Sequence, residues 1–215
     1  MYRHLDKLLA EAKKKVRTEF NHMSVMGFDE LNVINTRKVT QEAFDRLLSD
    51  NEEMYLRVAK SAYKKAVKDA EAEGFTGEET TDIGGDWVVG LLAGYNFVTG
   101  YLYDKEAERK RLRLNEQILT AREYNNRQMF QDSLRRTANL WWTQTAQYGI
   151  SAVDEAVIQG FKDKGVKEVR WIAADDEKTC PTCGERDNKV YRLNKIPPKP
   201  HYGCRCHIVP VRSGE

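Results

Sequence analysis

The chain has 215 residues, 40% of them apolar and 32% charged, with a net charge of +2. That composition supplies a packed core and leaves room for one large domain or two modest ones, and it carries too much charge for a membrane protein. No segment approaches the roughly 20 consecutive apolar residues of a transmembrane helix. The longest apolar stretch, Trp87 to Tyr95, is interrupted by Gly90 and Gly94.

The N-terminus, MYRHLDKLLAEAKKK, is amphipathic and charged, with neither the apolar stretch nor the cleavage site of a secretory signal. Leu5, Leu8, Leu9, Ala12, Val16 and Phe20 follow helical spacing. His22 to Thr36 breaks the pattern and reads as a loop. Thr40 then caps a second predicted helix with Ala43, Phe44, Leu47 and Leu48 on one face. The pattern resumes through Tyr55, Val58, Ala62, Ala66 and Ala70 and stops at Gly74.

Residues 74–86 read as a turn-rich linker. Residues 86–99 form a short apolar helix candidate. Asp104 to Leu119 is a charged helix with acid–base pairs at helical spacing, Glu106 and Lys110 among them. Its run of Lys105, Arg109, Lys110, Arg111 and Arg113 is interleaved with acids and reads as a solvated face. The last helix is expected from about Gln131 to Ile158, ended by Gly160, with Trp141 and Trp142 at its middle as packing residues.

After Gly165 the period changes. VKEVRWIAA alternates and is rich in β-formers, so it predicts a strand, with Trp171 packing it onto the last helix. VYRL at 190–193 and HIVPV at 207–211 predict two more, and the IPPKP run between them cannot be helical. The expected fold class is α+β, a mostly helical body of long helices with a small C-terminal β-rich, zinc-ribbon-like tail. Its organisation is a helical region over 1–100, a long-helix region over 101–160 and a β-rich metal-binding tail over 161–215. The tail is mildly basic: residues 160–215 carry 12 Lys and Arg against 8 Asp and Glu.

All four cysteines lie between 180 and 206. Clustering at one end suits metal binding better than a disulfide framework spread along a fold, and the missing signal sequence points to a reducing compartment. CPTCG can place two thiolates on one ion across a tight turn. Cys204 and Cys206 alternate, so on a strand both face one side. Cys180, Cys183, Cys204 and Cys206 therefore make a preferred Cys₄ structural site for one Zn²⁺. His201 is the reserve ligand, or a partner of the ligands, and gives Cys₃His if it replaces one thiolate. His207 points the other way, and Arg205 points away from the metal, toward an acidic partner or a phosphate.

Catalytic readings of these residues fit poorly. A zinc nucleoside deaminase needs H-x-E upstream, but His4 and His22 are followed by Leu-Asp and Met-Ser. A thioredoxin-type site needs C-x-x-C at a helix start in a βαβ setting. A zinc hydrolase needs an open coordination position beside a general base. Asp175, Asp176 and Glu177 are near in sequence, but an acidic turn is ordinarily solvated, and thiolates make the ion a poor Lewis acid. The expectation is a non-enzyme with no catalytic residues.

The order of motifs over about 131–211 resembles the phage Mu F-like minor head proteins, also called phage head morphogenesis proteins. RRTAN at 135–139 lies on a helix, GVKEVRWIAADDEKTCPTC at 165–183 follows, then KVYRL and IPPKPHYGCRCHIVPV. These match the family's Trp-bearing strand, acidic turn, C-x-x-C, strand, proline run, H-x-x-C-R-C and last strand. VTGYLYDKEAERKRLRLNEQ looks more loosely like upstream regions of such proteins. The resemblance implies a structural virion component in the phage head, assembled in the bacterial host cytoplasm. Its implied partners are the portal protein and other head proteins, with viral DNA a further candidate, and neither a membrane nor a small-molecule substrate is implied. Relatives that lack the first C-x-x-C while keeping C-R-C support Cys204 and Cys206 as ligands. The runner-up reading is a zinc-ribbon DNA-binding protein.

Overall fold

The computed structural model describes residues 2–93, 95–96, 101–174, 179–201 and 203–212. The acidic run Asp175–Glu177 and the end of the 86–99 segment lie outside them. Helices α1 (Arg3–Val25), α2 (Val33–Ala72), α3 (Gly85–Ala93), α4 (Tyr103–Glu123) and α5 (Arg127–Asp163) precede the cysteine-bearing tail. Two-residue strands β1 (Tyr95–Asn96) and β2 (Tyr101–Leu102) pair antiparallel before α4. The tail holds β3 (Glu168–Ile172), the short helix α6 (Pro181–Arg186), β4 (Val190–Arg192) and β5 (His207–Val211). No helix among the described residues is long and apolar enough to cross a membrane.

Several boundaries differ from the sequence expectation. The expected loop over 22–36 is mostly helix: α1 runs to Val25, a 3₁₀ turn covers Phe28–Glu30, and α2 begins at Val33. Asn32 is the cap, its side chain accepting from the Ile34 and Asn35 amides at 2.9 Å, so the segment read as a loop contains a helix start. Thr40 lies buried inside α2, its hydroxyl 2.9 Å from the Thr36 carbonyl and 2.5 Å from Asn115 Oδ1. Gly160 does not end α5. A Cβ there would stand 3.0 Å from the Ala66 Cβ and 3.1 Å from the Tyr63 carbonyl, so this glycine serves close packing. The stop comes at Gly165, at φ +80°, where Gly165 N–H bonds Lys162 O and Val166 N–H bonds Phe161 O, a Schellman ending. The stop expected at Gly74 is found, with φ +81° and the same pair of bonds, to Glu71 O and from Phe75 to Ala70 O.

The body is an up-down-up-down bundle. Phe44 packs edge-on to Trp141 at 5.0 Å, Asn51 reaches Thr145, and Ala66 meets Gly160. Residue numbers thus rise together along α2 and α5, and the two helices run parallel. α1 and α4 run the other way against them: Lys15 pairs with Asp50 and Ser24 with Gln131, while Asn115 meets Thr40 and Tyr103 meets Asn51. The apolar interior divides into two clusters. One holds Val16, Phe20, Met23, Phe44, Leu114, Phe130 and Trp141. The other holds Leu5, Leu8, Tyr55, Val58, Val157, Phe161 and the tail residues Trp171 and Ile208.

The tail sheet has the order β4-β3-β5, both pairings antiparallel. Val169 and Trp171 are buried and tie β3 into the helical core, as the alternation predicted. Asp163 closes the linker onto the bundle. It accepts from Tyr63 at 2.6 Å, from the Thr81 amide at 3.0 Å and from Gln159 at 2.9 Å. Burial would raise this carboxyl, but those hydrogen bonds outweigh it and hold it below its ordinary value.

Two outcomes follow from this packing. Gly160→Val forces a side chain into the α2–α5 seam and is expected to cost roughly 1–3 kcal/mol in chemical denaturation. Asp163→Asn is expected to cost about 1–2 kcal/mol at neutral pH. Because the native carboxyl binds its proton less readily than the unfolded one, that advantage is present above the ordinary carboxylate range and fades as pH falls through the depressed value. Melting curves of the two proteins should therefore converge in acid.

Candidate metal centre

Three segments bring the tail's donors together. Cys180 caps α6, its Sγ 3.4 Å from the Cys183 amide, and Pro181 takes the first helical position, where its missing N–H costs nothing. The C-x-x-C pair thus opens a short helix rather than spanning the tight turn expected from CPTCG. Cys204 and Cys206 were expected on a strand, but they precede β5, which begins at His207. Both are nonetheless buried, as is Cys183. His207 opens β5 opposite Ile172.

The donor atoms fall into two groups, each within 4.8 Å: Cys180, Cys183 and His201, and Cys183, Cys204 and Cys206. Cys183 belongs to both. Its Sγ is 3.6 Å from Cys204 Sγ and 3.7 Å from His201 Nε2. A Zn–S bond of about 2.3 Å places two tetrahedral donors about 3.8 Å apart, so these contacts have the spacing of neighbours on one ion. His201, held in reserve on sequence grounds, stands as close to the shared thiol as Cys204 does.

The electrostatics suit a cation. Burial pushes the Cys183 and Cys204 thiols up, so without a cation they stay protonated, and a metal must release those protons on binding. The Cys183 amide pulls the Cys180 thiol down. C-x-x-C at a helix start could also serve thiol exchange, but here the flanking strands are antiparallel, and two further thiols crowd the pair. Soft sulfur donors with one imidazole fit zinc.

The side chains around the centre are placed by the bundle. Arg205 points outward, as expected, and its acidic partner is Asp6 of α1, at 2.7 Å. Trp171 is buried with Arg186 stacked 5.3 Å over its ring. Sequence reading missed Tyr2, Asp154 and Lys199. The Tyr2 hydroxyl lies 2.6 Å from Asp154 Oδ1 and 3.1 Å from the Cys206 carbonyl. Lys199 donates to the Tyr2 hydroxyl, to Asp154 at 3.0 Å and to the Cys204 carbonyl at 3.0 Å. These partners are far apart in sequence, and Lys199 sits among prolines where no periodicity marks it.

Taken together, the chain is a long-helix bundle carrying a small antiparallel sheet with a metal-competent cysteine cluster. Residues 106–209, just under half of the sequence, match the family described as Phage Mu protein F like protein. The match over that segment supports the resemblance of the chain to this family, one of phage head morphogenesis. The match begins within α4, upstream of the motif run at 131, and includes every cysteine. No curated protein and no solved structure matches the chain.

Proposed function

We propose that this protein is a structural minor head protein of a tailed phage or prophage, and that it associates with the portal vertex and assists head assembly, packaging or genome delivery. The family match over 106–209 carries this reading. In it, the regions 1–100 and 101–160 supply the helical body and 161–215 the tail. One structural zinc per chain is held by Cys180, Cys183, Cys204 and Cys206, with His201 the alternative fourth ligand. The two donor groups that meet at Cys183 support that assignment. Thiolate-rich coordination neutralises the ion, so its role is to hold the tail and not to do chemistry. A loop that has little core of its own gains most from such a staple.

A second reading, contact with viral DNA, draws on one observation. A cleft of about 530 Å³ beside the tail sheet is lined by Lys162, Lys167 and Arg192, with Glu168 the one acid among its lining residues.

Co-purification with portal subunits from the same source tests the first reading, and a salt-dependent shift on duplex DNA tests the second. Metal analysis tests the centre. About one zinc per chain is expected, lost together with tail structure on chelation, and an ordered, metal-free tail would refute the staple. Cys183→Ser should lower zinc content more than Cys180→Ser or His201→Ala, since only Cys183 serves both donor groups.

A further inference from the structure

The cysteine centre is joined to the start of the bundle by contacts that its own fold does not require. Between the 3₁₀ turn ending at Lys195 and β5 beginning at His207, no helix or strand is found among the described residues. The backbone there depends on what grips it. Buried thiols hold it from one side. From the other, Lys199 and Tyr2 meet the carbonyls of Cys204 and Cys206, and the Gly203 amide donates to Gln147 of α5 at 3.1 Å. Asp154 of α5 completes the knot with both Tyr2 and Lys199, and Lys199 also lies 4.7 Å over the Tyr2 ring. The Arg205–Asp6 pair adds a contact from α1, but both side chains are about half exposed, so it contributes little.

α1 is divided between two environments. Tyr2, Leu5, Leu8 and Ala12 belong to the core cluster that contains Cys183, Cys204 and Cys206. Val16, Phe20 and Met23 belong to the other, with Phe28, Phe44 and Phe130. One half of the helix is thus packed with the metal loop and the other with the far end of the bundle.

We propose that metal loading of the cysteine centre is the latch for the first half of α1: with the loop fixed by its thiolates, the Cys204 and Cys206 carbonyls hold Lys199 and Tyr2 and dock residues 2–12 on α5. The inference rests on the zinc reading of the centre. Loss of the ion frees the 196–206 backbone, removes the carbonyl anchors, and loosens residues 2–12 while 16–23 stay packed. By linkage the latch side chains also tighten metal binding.

Hydrogen exchange followed by mass spectrometry on the full chain, with zinc content measured on the same samples, tests this. Chelation should speed exchange in peptides from residues 2–12 by about ten- to a hundredfold, the worth of two or three hydrogen bonds, and leave 16–23 within about twofold. Lys199→Met, kept zinc-loaded, should show the fast 2–12 exchange without losing its ion. If zinc is present and removed but 2–12 exchanges as before, or the whole of α1 loosens equally, the latch is refuted and the zinc reading stands. If zinc-loaded Lys199→Met protects 2–12 like the parent protein, the latch is likewise refuted. If no zinc is found in the parent protein, both fall.

Discussion

The close approach of α2 and α5 is the constraint on which the rest of the molecule is built. Ala59, Ala66 and Ala70 of α2 and Ala152 and Ala156 of α5 are fully buried, and Gly160 sits where even a methyl would press on Ala66. Small side chains let the two backbones run side by side, so dispersion contacts are made by the helices themselves as well as by long side chains. Larger residues also enter the seam: Tyr55 against Gly149, and Phe44 against Trp141. α1 and α4 then cover the flanks of a pair whose spacing is already set.

That pair also explains how a small sheet can persist at one end. Three strands of three to five residues bury little area alone, and such a unit needs a helix to pack on or a staple. Here it has the first, since Val169, Trp171 and Ile208 enter the same cluster as Val157 and Phe161. The cysteine loop is different in kind. Among its described residues no ladder satisfies the backbone, and its contacts come from thiols on one side and from Tyr2, Lys199 and Gln147 on the other. In the proposed reading, a metal staple and the hydrogen-bonded clamp act on the same few peptide groups.

Much of this was legible in the sequence because local chemistry and tertiary structure agree there. The β-formers of VKEVRWI and the stop at Gly74 follow local rules, whereas the charged run of α4, expected to be a solvated face, is so only in part: Glu106 is buried, and the Lys110 and Arg111 side chains are largely covered. The failures occurred where one residue type serves two purposes. Asn32 reads equally as loop or cap, and only the helix that follows decides. Gly160 reads as a terminator, but in the structure it is a contact with Ala66, a fact about another helix. Cys204 and Cys206 meet Cys183 although the strand expected to carry them starts one residue later, since clustering in sequence does not depend on secondary structure. His201 could not be ranked from spacing, because its distance to Cys183 is set by how the proline run folds back. The Tyr2–Asp154–Lys199 knot joins three remote segments, and no local rule reports such a meeting.

The parallel course of α2 and α5 has an electrostatic consequence as well. Both helices end at the same pole of the bundle, so the negative ends of two macrodipoles point toward the tail. The tail is where the chain concentrates its cations, 12 Lys and Arg against 8 Asp and Glu over 160–215. Lys164 bonds Glu71 at 2.7 Å at the end of α2, and Arg212 donates to the Glu73 carbonyl beyond it. The basic character of the tail, too slight to mark a nucleic-acid footprint, thus has an internal use as the counter-charge to two aligned helices. Added salt should screen that attraction far more than it affects the apolar seam above it, leaving the tail as the part of the molecule most sensitive to ionic strength.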